Sequence, residues 1–167
     1  MDRRILLTST AAIGLVAALR WLRGTDAAAA GKERFEFELS DEDWKKRLTP
    51  AQYNVLRHEG TEPPFSHPLN KEKRKGTFAC AGCDLPLFSS DTKFESGTGW
   101  PSFWKPLDNA VATRSDRSYM MVRTEVHCRR CGGHLGHVFD DGPKPTGLRY
   151  CMNGLSLAFK PADDKPS

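Results

Sequence analysis

Apolar residues form one long block near the start of the chain and only short, broken runs after it. Ile5 to Leu19 is almost wholly apolar, is led in by Arg3-Arg4, and is followed by Arg20-Trp21-Leu22-Arg23 and then Asp26-Ala27-Ala28-Ala29-Ala30. A basic start, a short apolar core and small residues at the far end describe an export signal with an Ala-x-Ala cleavage site. Arg3-Arg4-x-Leu-Leu resembles the twin-arginine type, whose cargo crosses the bacterial membrane already folded. The apolar core is shorter than the ~20 residues needed to span a bilayer. Residues 1–30 are therefore expected to direct export to the periplasm. The alternatives are a retained anchor that leaves the domain facing the periplasm, with Trp21 and Leu22 extending it, and a mitochondrial presequence.

Residues 31–36 read as a linker, after which the polar pattern sets two short helices. Ser40 caps a helix over Asp41-Glu42-Asp43, whose acids sit at the positive end of the helix, and this helix runs to about Leu48. Thr49-Pro50-Ala51-Gln52 repeats the signal, with Pro50 at the first helical position, and the second helix should end before Gly60. Tyr53, Val55 and Leu56 are its inward residues. Glu62-Pro63-Pro64-Phe65-Ser66-His67-Pro68 cannot continue a helix because its prolines lack the amide donor, so it reads as an extended strap across the surface. His58 and His67 have no motif partners nearby and read as surface residues. Asp108-Asn109-Ala110-Val111 is a turn into a strand, Ser118 to Val126 a strand, and Leu155-Ser156-Leu157-Ala158-Phe159 alternates as a strand does.

The chain has 167 residues, enough for one domain with a substantial core, here placed at 37–161 with a polar tail at 162–167. Eleven prolines, fourteen glycines and short apolar runs favour a loop-rich, mainly β domain over a helical bundle. The net charge of +4 has no long basic run interleaved with aromatics, so nucleic acid is not an expected partner.

Five cysteines carry the first chemical signal. Cys80-x-x-Cys83 and Cys128-x-x-Cys131 each place two thiols on a tight turn after a strand-like run, with Gly82, Gly132 and Gly133 beside them. Two such knuckles supply the four thiolates of a closed structural zinc site, which would fasten the segment around residue 80 to that around 130. A pair of disulfides and a redox-active dithiol are the competing readings. Cys151 is left over. It is either an inert buried side chain or a working thiol. Arg149 and Asn153 stand two residues to either side, on one face of a strand, and a nearby cation lowers a thiol pKa. His134 and His137 follow the second knuckle directly and read as acid/base groups, since the four cysteines already complete a metal site. Trp100, held irregularly by Gly97, Gly99 and Pro101, suits a small apolar recognition pocket. Phe103 and Trp104 read as core plugs.

Gly-Thr-Glu-Pro-Pro-Phe at 60–65, the two knuckles, Ser-Gly-Thr-Gly-Trp-Pro-Ser-Phe at 96–103, Gly-His-Leu-Gly-His-Val-Phe-Asp-Asp-Gly-Pro at 133–143 and Leu-Arg-Tyr-Cys-Met-Asn at 148–153 together resemble the B-type methionine-R-sulfoxide reductases. The likeness runs through about residues 37 to 161. It implies two antiparallel β-sheets with short N-terminal helices, and one structural Zn2+ far from Cys151. It further implies reduction of the R epimer of methionine sulfoxide, with oxidised proteins or peptides as substrate and a thioredoxin-like reductant as partner. Cys151 would be the nucleophile, His134 or His137 the proton donor, and Trp100 with Phe139 the substrate contacts. Asn153 would orient the site, Arg149 favour the thiolate, and Asp141 hold a histidine or a loop. A monomer is expected. Many family members carry a second, resolving cysteine where Thr98 stands, and often serine where Gly154 stands. With no cysteine to spare, the resemblance implies a single-cysteine cycle. A zinc-ribbon binding module and a dithiol oxidoreductase are the other function classes.

Overall fold

The structure of the protein is a computed structural model that describes residues 34–162. The proposed export signal, residues 31–33 of the linker and residues 163–167 of the tail lie outside the described residues. No helix among the described residues is long and apolar enough to cross a membrane.

Helix α1 (Asp41–Arg47) starts where Ser40 accepts from the Asp43 amide, and α2 (Pro50–His58) starts with a full capping box between Thr49 and Gln52. Such a cap contributes about 1 kcal/mol, which matters for helices this short because propensity alone does not hold them. Packing does the rest: Trp44, Val55 and Leu56 are buried, and the half-buried Tyr53 packs against the core.

The remainder is β. A three-stranded antiparallel sheet has the order β2 (Pro86–Ser89), β1 (Gly76–Cys80), β9 (Leu157–Pro161). A six-stranded antiparallel sheet has the order β3 (Lys93–Phe94), β4 (Ser102–Phe103), β8 (Arg149–Met152), β7 (His134–Phe139), β6 (Arg123–Cys128), β5 (Val111–Asp116). Their apolar faces share one core. Phe88 stacks on Phe103 at 4.4 Å and Phe78 meets Phe103 edge-on at 5.0 Å, so rings from both sheets interlock. Each buried phenylalanine contributes about 1.5–3 kcal/mol. Phe103 is thus a core plug as expected, whereas Trp104 is only half-buried.

Three expectations change. The alternating run at 155–159 is a strand only from Leu157 onward, and it does not continue the strand of Cys151: β8 belongs to the large sheet and β9 to the small one, and a single 3-10 turn at Gly154–Ser156 carries the chain between them. Ser118 to Val126 is a strand only from Arg123 onward. Ser118–Met120 form a 3-10 turn with Met120 in the left-handed region at φ 57°, and Met120 and Val122 point outward, exposed. Residues 34–36 do not behave as a free linker. Phe35 meets the His127 ring at 6.0 Å, Glu36 reaches Arg129 and Arg130 at 3.5 Å, and the Phe37 amide donates to the Arg130 carbonyl. At the other end Ala162 still donates to Lys75.

Candidate active site

The two knuckles converge. The Sγ atoms of Cys80, Cys83, Cys128 and Cys131 lie within 4.8 Å of one another and all four side chains are buried. Cys80 to Cys131 measures 3.7 Å and Cys83 to Cys128 3.5 Å, far beyond a disulfide bond of about 2.05 Å. Four sulfurs at about 2.3 Å from a tetrahedral Zn2+ would stand about 3.8 Å apart, so the donor set fits that ion. The turns are alike: Asp84 donates to Cys80 in the first and Gly132 to Cys128 in the second, with Gly132 at φ 67°, where a side chain would be strained. Three guanidiniums bond the knuckle backbones: Arg47 to Gly82, Arg57 to Cys131 and Arg130 to Cys83. A Zn2+ with four thiolates carries two net negative charges, and these arginines offset them. Because Cys80 ends β1 and Cys128 ends β6, a bound ion ties the small sheet to the large one.

Cys151 stands apart from that cluster, on β8. It opens into a cavity of about 120 Å³ lined by Thr61, Trp100, Arg123, Gly136, His137, Phe139, Cys151 and Asn153. His137 is its cross-strand partner on β7 and Ser102 its partner on β4. His137 Nε2 lies 2.8 Å from Asp116 Oδ2, so the neutral ring carries its proton on Nε2. Burial lowers the His137 pKa and Asp116 opposes this. Asp116 itself is held well below the carboxylate range by the Ser118 amide first, then by the Ser118 hydroxyl, His137 and Arg123.

His134 is more deeply buried and lies in an adjoining polar hollow of about 440 Å³ beside Glu125, Asp116 and His58. Its Nδ1 bonds Glu125 at 2.7 Å, and its ring sits 5.4 Å from that of His137. Burial would raise Glu125, but the bonds from His134 and Arg114 outweigh it and lower its pKa. Of the two histidines, His137 is the one that faces the cavity and the sulfur.

Arg149 and Asp141 meet differently from expectation. The guanidinium makes two bonds of 2.8 Å to the Asp141 carboxylate and lies 4.4 Å over the Phe139 ring. Asp141 therefore holds the arginine, not a histidine. With Arg149 so engaged, burial pushes the Cys151 thiol above its ordinary value, while Thr98, Arg149 and Ser102 pull it back only in part. Arginine alone does not make this thiol acidic.

Asn153 is buried. Its Nδ2 donates to Leu135 at 3.1 Å, and its Oδ1 accepts from the Glu62 amide at 3.1 Å. Glu62 is the residue the sequence reading missed. It is 4% exposed, in the strap between α2 and β1. Its side-chain oxygens accept from the Gly154 and Leu155 amides at 2.7 and 2.8 Å, and its carbonyl accepts from Trp100 Nε1 at 3.0 Å. One residue thus fixes the recognition tryptophan, Asn153 and the turn after β8. His67, read as a surface residue, is half-buried, and a side chain at Gly154 would overlap its imidazole. This chain fills with His67 the space that another residue at 154 would need. His58 is exposed as expected.

The SelR domain matches residues 48–161. The chain belongs to the SelR domain family. Its similar relatives include the peptide methionine sulfoxide reductase MsrB of Leptospira interrogans, 59% identical over 127 residues that cover 75% of this chain and 97% of the relative. The protein of the same name from Methanosarcina mazei is 58% identical over 130 residues, 77% of this chain and 93% of the relative. That of Agrobacterium fabrum is 57% identical over 123 residues, 73% and 91% respectively. The matched SelR domain takes in all four knuckle cysteines, Trp100, both histidines and Cys151.

Proposed function

We propose that the chain reduces the R epimer of methionine sulfoxide in oxidised proteins, with Cys151 as nucleophile and His137 as proton donor. The supporting observation is the cavity in which Cys151 and His137 face each other across β7 and β8, between Trp100 and Phe139. The aromatic walls take the substrate's methyl group and the sulfur–oxygen bond points to the histidine.

Cys151 attacks as the thiolate while its proton passes through His137 to the sulfoxide oxygen. The sulfur–oxygen bond of the substrate breaks, methionine leaves with two electrons gained, and the hydroxyl remains on Cys151 as sulfenic acid, two electrons poorer. Two thiol groups of a thioredoxin-like reductant then remove that oxygen as water. Zinc on Cys80, Cys83, Cys128 and Cys131 supplies structural cross-linking and takes no part in these steps. The protein is proposed to act as a monomer.

The test is methionine release from the separated R and S epimers of a methionine sulfoxide peptide, with dithiothreitol as reductant. Turnover of the R epimer only is expected. Release from neither epimer by zinc-loaded protein would favour a binding module.

The protein is further proposed to be exported by the twin-arginine route, on the strength of Arg3-Arg4 and the apolar block after them. Changing both arginines to lysine should leave it in the cytoplasm of a bacterial host. Undiminished periplasmic protein would rule that route out.

A further inference from the structure

Beside Cys151 runs a line of three hydroxyls that the mechanism above does not use. Thr98 Oγ1 lies 3.8 Å from Cys151 Sγ, Ser96 Oγ lies 2.8 Å from Thr98 Oγ1, and Ser102 Oγ lies 2.7 Å from Ser96 Oγ. Ser102 donates at 3.1 Å to the Trp100 carbonyl, where the line ends. Ser102 is fully buried; Ser96 and Thr98 are half-buried. We propose that Thr98 is a catalytic residue that donates a hydrogen bond to the Cys151 thiolate, with Ser96 and Ser102 as the positioning residues that turn its proton toward the sulfur. This deepens the reductase reading and rests on it for the thiolate's purpose, though not for its existence.

The direction in which the line donates depends on the charge of the sulfur. Each hydroxyl has one proton to give and can accept in return. In the thiol form the chain runs away from sulfur: the S–H gives to Thr98, Thr98 to Ser96, Ser96 to Ser102, and Ser102 to the Trp100 carbonyl. That carbonyl has no proton, so the line offers no exit through which one could leave. Ionisation of Cys151 reverses it, so that Ser102 gives to Ser96, Ser96 to Thr98, and Thr98 to the thiolate. Hydrogen bonds to an ionised acceptor are roughly twice as strong as neutral ones, and a chain of them polarises each member. The reversal takes the Ser102 proton from the Trp100 carbonyl, but the charge-assisted bond gained at sulfur is the stronger one, so the line favours the thiolate over the thiol.

The need for such a donor is visible around the sulfur. The charged and titratable groups that face it are His137 from β7, Arg123 from β6 and Arg149 from β8. Arg149 is bound to Asp141, and Asp116 bonds both Arg123 and His137. Strand β4 and the loop before it bring only hydroxyls and the Trp100 indole. With Arg123 and Arg149 each paired to a carboxylate, and Arg149 offsetting the burial of the sulfur only in part, the hydroxyl line is a further source of stabilisation for a buried thiolate. Threonine serves well because its branched Cβ restricts χ1.

The test is the pH dependence of Cys151 alkylation by iodoacetamide in zinc-loaded protein, followed by mass spectrometry of the Cys151 peptide. It uses no sulfoxide, so a wild type that proved inactive as a reductase would still give a readable profile. Thr98→Val, which keeps the shape and removes the hydroxyl, should lower the rate at pH 7 about tenfold and move the profile up by about one pH unit. Ser96→Ala should lower it about threefold, as loss of a neutral bond in the line would. Thr98→Ser, which keeps the hydroxyl, should stay within about twofold of wild type and exclude a packing effect. A Thr98→Val profile that superimposes on wild type would overturn the proposal. So would a Thr98→Ser profile displaced as far as that of Thr98→Val.

Discussion

Protein stripped of metal, or carrying Cys80→Ala or Cys128→Ala, should not hold the native fold. Structural zinc contributes apparent binding free energies of about 10–16 kcal/mol in small peptides, and whole domains are stable by only about 5–15 kcal/mol. Here the four sulfurs join the end of β1 in one sheet to the end of β6 in the other. Losing the ion removes that joint and leaves four buried thiols with no ligand to hold them. Metal analysis should give one zinc per chain in the wild type and none in either variant, and near-ultraviolet circular dichroism should show lost tertiary packing. Variants without metal that melt with the wild-type midpoint would contradict a structural role. Cys151→Ser leaves the cluster untouched and should bind zinc fully.

Replacing Glu62 should weaken the fold and the active site together. In Glu62→Ala the Gly154 and Leu155 amides lose their acceptors in a buried place, and each such orphan costs about 1–3 kcal/mol. The expected loss is about 4 kcal/mol, read from the denaturant midpoint at unchanged slope. Glu62→Gln keeps the volume and one acceptor but aims an NH2 group at one of the two amides, so it should fall between alanine and wild type. The turn released by either change follows directly on the strand that carries Cys151. Methionine release should therefore drop even at temperatures where the variants remain folded. A Glu62→Ala protein with wild-type stability and rate would show that the turn holds itself.

These two cases also separate what could be read from the sequence from what could not. The knuckles and both helix caps are local signals: their donors and acceptors lie within four residues of each other, so spacing alone reveals them. Glu62 bonds residues 91 to 93 positions away and sits among prolines that advertise only an irregular strap. Nothing nearby in the chain marks it as buried. That the strand at Cys151 and the alternating run at 155–159 serve different sheets is hidden for a related reason. Alternation continues from the half-buried Leu155 inside the turn to the buried Leu157 after it, and which sheet each half joins is decided by distant partners. Ser118 to Val122 misled in the opposite sense, since its methionines and valine are apolar yet point to solvent beside the candidate site. Arg149 was correctly placed near the sulfur, but its pairing with Asp141 depends on the loop after β7 folding back, which spacing does not encode.

Cys151 alone is proposed to receive the substrate's oxygen. One turnover in the absence of any reductant, with the R epimer in excess and dimedone present, addresses it directly. Release of one methionine per chain is expected, with a single dimedone adduct confined to the Cys151 peptide, the zinc retained and no adduct in Cys151→Ser. A disulfide between Cys151 and a knuckle cysteine, or methionine release that survives in Cys151→Ser, would contradict the single-cysteine cycle and return the nucleophile's role to the four-cysteine cluster.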